Sequence, residues 1–435
     1  MKDTALLRRR ILSRRARVAV VGQGYVGLSL ACAAADSDFH VTGIDVNERR
    51  VGDLVEGVLS VPGVPEAEFG AALATGKLTF TTDTSAAGNA DVVCICVPTP
   101  ARDHVPDLSF VEAAARDLGD HLRPGRLVVL ESTTFPGTTE GPVREILEGS
   151  NLAAGRDFLL AYSPERINPG NGEYGFGTIP RIVGGFTPEA TGMASLFYGQ
   201  LVDKVVTVSS CRAAELAKLL ENTYRHVNIA LVNELAMLCH DMDIDVWEII
   251  DAAATKPFGF TPFYPGPGVG GNCIPVDPMY LAWHVRRNAG HRFRTLEQAE
   301  EINQAMPAYV ATRIGDALNE AGKPVKGAHV LVLGVSYKQD VGEIAESPSV
   351  KVAEVLERRG ARVAFHDPYV EEVTVAGRVQ ERVDLTHRSV SGADLVAVLT
   401  PHSGYDLEWI AERAALLFDA RNAFGQQQRK NVVRL

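Results

Sequence analysis

Short apolar runs alternating with stretches of helical periodicity organise the first half of the chain. Arg17-Val18-Ala19-Val20-Val21 is β-branched and apolar after its first residue, the mark of a parallel strand buried on both faces. It runs straight into Gly22-Gln23-Gly24-Tyr25-Val26-Gly27 and then an alanine-rich helix through Ala35. Val41-Thr42-Gly43-Ile44-Asp45 reads as a second strand, ending in an acid. Further strands are expected at Asp91–Val97, Leu127–Leu130 and Phe158–Ala161, with helical stretches between them. Alternating β and α elements of this kind build a doubly wound sheet.

The middle of the chain changes period. Between Ala213 and Asp241 there is neither Pro nor Gly, and Leu216, Leu219, Leu220, Tyr224, Val227, Leu231, Leu235 and Leu238 recur at helical spacing. A helix of about thirty residues is well above the usual length. It is expected to run from one domain to another and to offer a face for a homodimer. A loop dense in Pro and Gly lies beyond it, from Pro257 to Pro278. The α/β rhythm then resumes with strands at Val330–Gly334, Arg362–Pro368 and Leu395–Thr400. The expected fold is α/β, two Rossmann-like doubly wound domains joined by a long central helix.

Composition narrows the class. At 435 residues, 46% hydrophobic and 22% charged, the chain has globular composition and more length than one core uses. No apolar run approaches the ~20 residues of a membrane-spanning helix, so no membrane partner is expected. A net charge of −11 argues against a nucleic-acid partner. Residues 1–16 are rich in arginine (Arg8, Arg9, Arg10, Arg14, Arg15), but Ala5-Leu6-Leu7 is too short for the apolar core of a signal peptide. They read as a basic extension. The six cysteines (Cys32, Cys94, Cys96, Cys211, Cys239, Cys273) include no C-x-x-C pair, and no His/Cys cluster has zinc-ligand spacing. Neither a disulfide framework nor a metal is expected, and the economical location is the reducing cytoplasm.

Two loops carry the chemistry. In the glycine motif, Gly22 suits the tight turn, Gly24 lets backbone approach a pyrophosphate, and Gly27 lets the helix pack close to the strand. A preceding strand, a following helix and Asp45 about twenty residues on make the match specific. Asp45 can accept hydrogen bonds from ribose hydroxyls and would repel a 2′-phosphate, which favours NAD. Arg49 and Arg50 are the counter-argument, since an arginine accommodates that phosphate. The second loop is Pro265-Gly266-Pro267-Gly268-Val269-Gly270-Gly271-Asn272-Cys273-Ile274-Pro275-Val276-Asp277-Pro278. Its glycines allow backbone close to a ligand, and a thiolate such as Cys273 is a good acyl acceptor.

With these segments in view, the chain resembles the UDP-glucose/GDP-mannose dehydrogenase family over nearly its whole length. The matching segments are Gly22–Gly27, Val97-Pro98-Thr99-Pro100, Glu131-Ser132-Thr133-Thr134, Ser163-Pro164-Glu165-Arg166, Lys218-Leu219-Leu220-Glu221-Asn222, Gly270–Asp277 and Gly334-Val335-Ser336-Tyr337-Lys338. The resemblance implies an NAD-binding domain over 1–210, a central helical dimerisation domain over 211–305 and a nucleotide-sugar domain over 306–435. It implies oxidation of a sugar C6 hydroxymethyl to a carboxylate in two hydride transfers, through a thiohemiacetal and then a thioester on Cys273. Tyr25, Val26, Pro98, Thr99 and Thr133 join the glycines and Asp45 as cofactor contacts. Lys218 and Asn222, four apart on one helix face, are expected to stabilise oxyanion character at C6. Asp277, with Thr133 and a water, suits proton transfer, and Glu165 is expected to assist hydrolysis. The base stays open among Asp277, Glu165 and Lys218. Glu165, Lys218, Asn222, Phe260, Phe263, Tyr264, Gly270, Tyr337, Lys338 and Arg421 are the expected nucleotide-sugar contacts.

Two positions depart from the family pattern, Ala345 where relatives carry an arginine near the cofactor and Asn272 where they often carry histidine. The wording of Thr255–Gly268 and Glu131–Thr139 is similar to the subgroup that oxidises UDP-N-acetylhexosamines. UDP-N-acetylglucosamine stands just ahead of UDP-glucose as the expected substrate, with dTDP-glucose and UDP-N-acetylmannosamine as the alternatives. Two other readings are a hydroxyacid dehydrogenase, which needs no cysteine, and an inactive binding homologue, which would tolerate erosion of Lys218, Asn222, Cys273 and Asp277.

Overall fold

A computed structural model describes residues 2–102, 105–167, 175–271, 273–425, 427 and 429–435. Asn272 therefore lies outside the described residues. The chain divides into two compact units, Met1–Glu221 with Trp283–Ala289, and Asn222–Ala282 with Gly290–Leu435.

The first unit is built on eight strands: β1 (Arg17–Val21), β2 (His40–Ile44), β3 (Leu78–Thr81), β4 (Val92–Ile95), β5 (Leu127–Leu130), β6 (Leu159–Tyr162), β7 (Arg181–Gly185) and β8 (Val205–Thr207). Their order is β8-β7-β6-β5-β4-β1-β2-β3. All neighbours are parallel except β6 and β7. Alternate residues serve opposite faces: Val18 and Val20 of β1 join one core, and Ala19 joins the other. With both faces covered, the strands need no polar positions, which is why they read as unbroken apolar runs. β3, β7 and β8 escape a reading of the sequence, being short or carrying polar residues.

The segment read as a basic extension is a helix, α1 (Lys2–Leu12), integral to this core. Leu7 and Ile11, four apart on one face, are buried in the same cluster as Val18 and Leu28. Arg10 pairs with Asp91 at 2.6 Å. The arginines masked the two apolar positions that decide the element.

In the second unit, β9 (His329–Leu333), β10 (Arg362–His366), β11 (Leu395–Val398), β12 (Leu417–Asp419) and β13 (Val432–Arg434) form a parallel sheet in the order β10-β9-β11-β12-β13. The fold class is as expected, α/β with doubly wound sheets. Each sheet reverses its strand order beside its first strand, at β1/β4 and at β9/β11, and such switch points open a crevice beyond the carboxyl ends of the strands. Three helices carry expected site residues: α2 (Tyr25–Asp36), α3 (Cys211–Asp241) and α4 (Asp277–Asn288). The long helix α3 runs 31 residues, and the division between units falls within it.

Candidate active site

The glycine turn after β1 sits at the first switch point. Gly22 has φ +91°, and a Cβ there would lie 2.6 Å from the Cys96 carbonyl oxygen, just past β4. A Cβ on Gly27 would overlap the Gly22 carbonyl oxygen. Around Gly24 nothing beyond its own chain neighbours lies within 4 Å of the Cβ position. The three glycines thus do separate jobs, a turn, a tight helix–strand contact and open room. Gly24 precedes α2, whose first N–H groups and dipole favour negative charge. Tyr25 and Val26 stand half-buried in the first turn of α2, and Pro98 and Thr99 follow β4. Open room at a helix N-terminus fits the pyrophosphate of a dinucleotide.

Asp45 follows β2, is buried, and is already engaged. Its Oδ2 accepts the Gln23 N–H at 2.7 Å, and its Oδ1 accepts that of Asn47 at 2.9 Å. Arg50 Nη1 donates to Oδ2 at 2.9 Å. The expected ribose acceptor is therefore also the strut of the glycine turn, and Arg50 is paired with it. The second unit repeats the device, with Asp367 Oδ2 accepting the N–H groups of Val335 and Ser336 after β9.

Thr133 follows β5, Glu165 follows β6, and Lys218 is buried on α3. Glu165 accepts the Ile167 N–H and lies 3.4 Å from Arg181 Nη1. Arg181, itself buried, also pairs with Glu131, which takes the Tyr198 hydroxyl. Burial opposes the guanidinium charge, but Glu131 and Glu165 hold the Arg181 pKa above its ordinary value. The sequence reading missed Arg181; its one signal is a cation opening the otherwise apolar strand β7. Arg166 pairs with Glu221 at 2.7 Å, joining the Ser163–Arg166 and Lys218–Asn222 segments.

In the second unit the cysteine loop leads into α4. The Asp277 N–H donates to the Cys273 carbonyl at 2.8 Å, so Cys273 sits in the turn before the helix start. A position ahead of a helix N-terminus favours the thiolate. Among the six cysteines Cys273 alone is exposed. Burial pushes the Cys32 thiol up to about 12 and raises Cys94 and Cys96 as well. Asn222 Nδ2 donates to Asp277 Oδ2 at 2.6 Å, and both are buried. Gly270 and Gly271 make room for Tyr337: a Cβ on either would come within 2.6 Å and 2.9 Å of it. Burial, then Glu343 and Cys273, pushes the Tyr337 hydroxyl up to about 12. Ala345, the departure from the family pattern, contributes its carbonyl, which accepts the Gly271 N–H at 2.8 Å.

The second switch point gathers cations. Lys338 follows the Gly334 turn, and burial, then Arg225, lowers its pKa. Arg421 follows β12, donates through Nε to the Leu399 carbonyl at 3.3 Å, and is lowered to about 10 by burial. Among the described residues no carboxylate is paired with it. Gly266 leaves room for this side chain: a Cβ there would lie 2.6 Å from the Arg421 guanidinium carbon, which would have to shift. Arg225 was missed by the sequence reading, although it lies three residues past Asn222. Of the expected aromatic contacts, Phe263 packs on Tyr224 at 5.7 Å. Tyr264 stacks on Trp247 at 5.9 Å and donates to Asp251 at 2.9 Å. Phe260 is exposed. The expected residues thus form two sets. Gly22, Gly24, Tyr25, Val26, Gly27, Asp45, Pro98, Thr99, Thr133, Glu165 and Lys218 belong to the first unit. Asn222, Phe260, Phe263, Tyr264, Gly270, Cys273, Asp277, Tyr337, Lys338 and Arg421 belong to the second.

Comparison with known proteins identifies the family. Residues 16–202 match the NAD binding domain of the UDP-glucose/GDP-mannose dehydrogenase family, 212–305 its central domain and 331–426 its UDP binding domain. The chain belongs to this family. It is an NAD-dependent nucleotide-sugar dehydrogenase. It is 34% identical over 413 residues to a UDP-N-acetyl-D-mannosamine dehydrogenase of Pyrococcus horikoshii, covering 93% of this chain and 95% of that one. It is 37% identical over 357 residues to a UDP-N-acetyl-D-glucosamine 6-dehydrogenase of Pseudomonas aeruginosa, covering 81% and 83%. The solved structure of a UDP-D-ManNAc dehydrogenase from Pyrococcus horikoshii superposes with a TM-score of 0.88 at 33% identity, over 96% of this chain and 98% of that one. Among the described residues no helix is long and apolar enough to cross a membrane.

Proposed function

We propose that this dehydrogenase oxidises the C6 hydroxymethyl of a UDP-N-acetylhexosamine, UDP-N-acetylglucosamine or its 2-epimer UDP-N-acetylmannosamine, to the uronic acid. The observation that carries the reading is Cys273, the exposed thiol ahead of α4, beside an Asp277 fixed by Asn222. The sugar assignment draws support from the relatives named above and from the wording of Thr255–Gly268. In the N-to-C order of its matches, the chain is best divided into the NAD, central and nucleotide-sugar parts given by the sequence reading.

The roles come from the chemistry of the groups. Each oxidation gives up a hydride from C6, for which bound NAD is the acceptor. In the first, the C6 hydroxyl loses its proton and C6 becomes an aldehyde carbon. The Cys273 thiolate adds to that carbon, and the oxygen of the resulting thiohemiacetal takes donors from the Lys218 ammonium and the Asn222 amide. Loss of the second hydride leaves a thioester. Water then adds at C6, the C–S bond breaks, and Cys273 leaves as thiolate. Asp277, locked by Asn222, takes protons, with Thr133 orienting a water, and Glu165, held by Arg181, serves the hydrolytic step. Tyr337, Lys338 and Arg421 bind the nucleotide-sugar diphosphate, for which cations are the natural partners. Phe260, Phe263, Tyr264 and Gly270 line its path.

NADH formed per sugar consumed tests the reading, measured with UDP-N-acetylglucosamine, UDP-N-acetylmannosamine, UDP-glucose and dTDP-glucose. Two NADH per N-acetylhexosamine are expected; one NADH, or turnover of UDP-glucose alone, would overturn it. Lys338 predicts a pH effect. Its lowered pKa means the charge is lost at a lower pH than the ~10.4 of an ordinary lysine. KM for the UDP-sugar is therefore expected to rise as pH increases through that lowered value. Lys338→Gln should show the raised KM at every pH; an unchanged profile in that variant would remove Lys338 from the site.

We further propose a homodimer through α3. Leu216, Leu220, Tyr224, Leu231 and Leu238 are exposed along it, a row of apolar side chains that water disfavours. Light scattering at micromolar concentration should give twice the chain mass, and a monomer would contradict the proposal.

A further inference from the structure

The loop after Thr133 is held by one buried carboxylate. Glu215 lies on α3, three residues before Lys218 and so on the same face of the helix, and is fully buried. Its Oε2 accepts the N–H of Gly137 at 2.6 Å. Its Oε1 accepts the Thr139 N–H at 2.9 Å and the Thr139 hydroxyl at 2.7 Å, with the Thr134 hydroxyl at 3.5 Å. An ionised carboxylate only accepts, so it matches a set of partners that all donate. Burial pushes its pKa up, and the Thr139 and Gly137 donors pull it back.

The loop is also fixed on another side. The Phe135 ring packs on Trp283 at 5.3 Å and on His284 at 5.2 Å, both on α4. Beyond Gly137, at φ +99°, the chain enters a widened turn in which the Val143 N–H reaches the Thr138 carbonyl. Such turns recur at functional sites. Capping this turn would need only a local polar side chain, as at most helix starts. Here the cap comes from 76 residues away, on the helix that carries Lys218.

We propose that Glu215 is a positioning residue for the oxidation: by tying Thr134–Thr139 to the Lys218 face of α3, it sets where Thr133 stands. The inference rests on the role given to Thr133 under the proposed function. In Glu215→Gln the side-chain length is kept, but an amide NH2 must face an N–H donor. The expected result, with the preferred sugar of the four named above, is a folded enzyme with kcat down about 100-fold and KM for the UDP-sugar within about twofold of wild type. Thr139→Val removes one hydroxyl donor and leaves the carboxylate; kcat should fall about tenfold. The deciding readout is the double-variant cycle with Thr133→Ala. If Glu215 acts through Thr133, neither substitution lowers kcat further once Thr133 is alanine. Wild-type kcat in both variants, or losses that multiply with that of Thr133→Ala, would overturn the proposal. Should Glu215→Gln fail to fold, Thr139→Val decides alone by the same cycle. Wild-type kcat in Thr133→Ala would instead remove the Thr133 role, and this inference with it, while the NADH count continues to report on the Cys273 reading.

Discussion

Cys273→Ser is expected to abolish uronic acid formation, with a loss of at least about 1,000-fold in kcat, as removal of a nucleophile does elsewhere. A serine hydroxyl keeps the shape but gives no anionic nucleophile near neutral pH. The position before α4 helps a thiolate, whose pKa is within reach, far more than an alkoxide. The sugar should then stop at the aldehyde level, and NADH per sugar should fall from two to at most one. The variant should fold normally, since Cys273 is exposed and bonds to Asp277 through its backbone carbonyl, which serine keeps. Substitution of Cys94 or Cys96, both buried in the strand region of β4, should act on stability instead. Carboxylate product at near wild-type rate from Cys273→Ser would sink the thioester route and favour a one-step hydroxyacid-type dehydrogenase.

Gly27→Ala and Gly24→Ala should part company. A methyl group at Gly27 overlaps the Gly22 carbonyl oxygen, which is backbone and cannot swing aside. The turn or α2 must shift, at a cost of about 3 kcal/mol or more, read as a lower denaturation midpoint. At Gly24 a methyl meets nothing within 4 Å beyond its own chain neighbours. Stability should change by less than about 1 kcal/mol, the helix-entry propensity alone. NAD binding should nonetheless weaken about 100-fold, because the methyl fills the room that the pyrophosphate needs. Denaturant melts and NAD titration by fluorescence check both. Unchanged NAD affinity in a folded Gly24→Ala protein would place the dinucleotide elsewhere.

The strands β1, β2, β4, β5, β6, β9, β10 and β11 were legible within a few residues because burial on both faces leaves an apolar run that local sequence displays. The long helix was legible for a related reason, thirty-one residues without Pro or Gly at a steady helical period. Helix α1 was not, because its two core residues are outnumbered by arginines and only contact with the sheet reveals their role. Short strands such as β8 and β12 depend on an existing neighbour to pair with, and that neighbour is far away in sequence.

The same distinction runs through the site. Reading along the chain was enough to find the glycine turn, the cysteine loop and the Lys218/Asn222 spacing, because each is a contiguous segment whose chemistry depends on residue type and local offset. Folding alone brings Arg181 between Glu131 and Glu165, sets Glu215 against the Thr134–Thr139 loop, and engages Asp45 with Gln23 and Arg50. Those partners lie as far as 81 residues apart. A buried charge must find its donors wherever folding brings them, and no local pattern records where that will be.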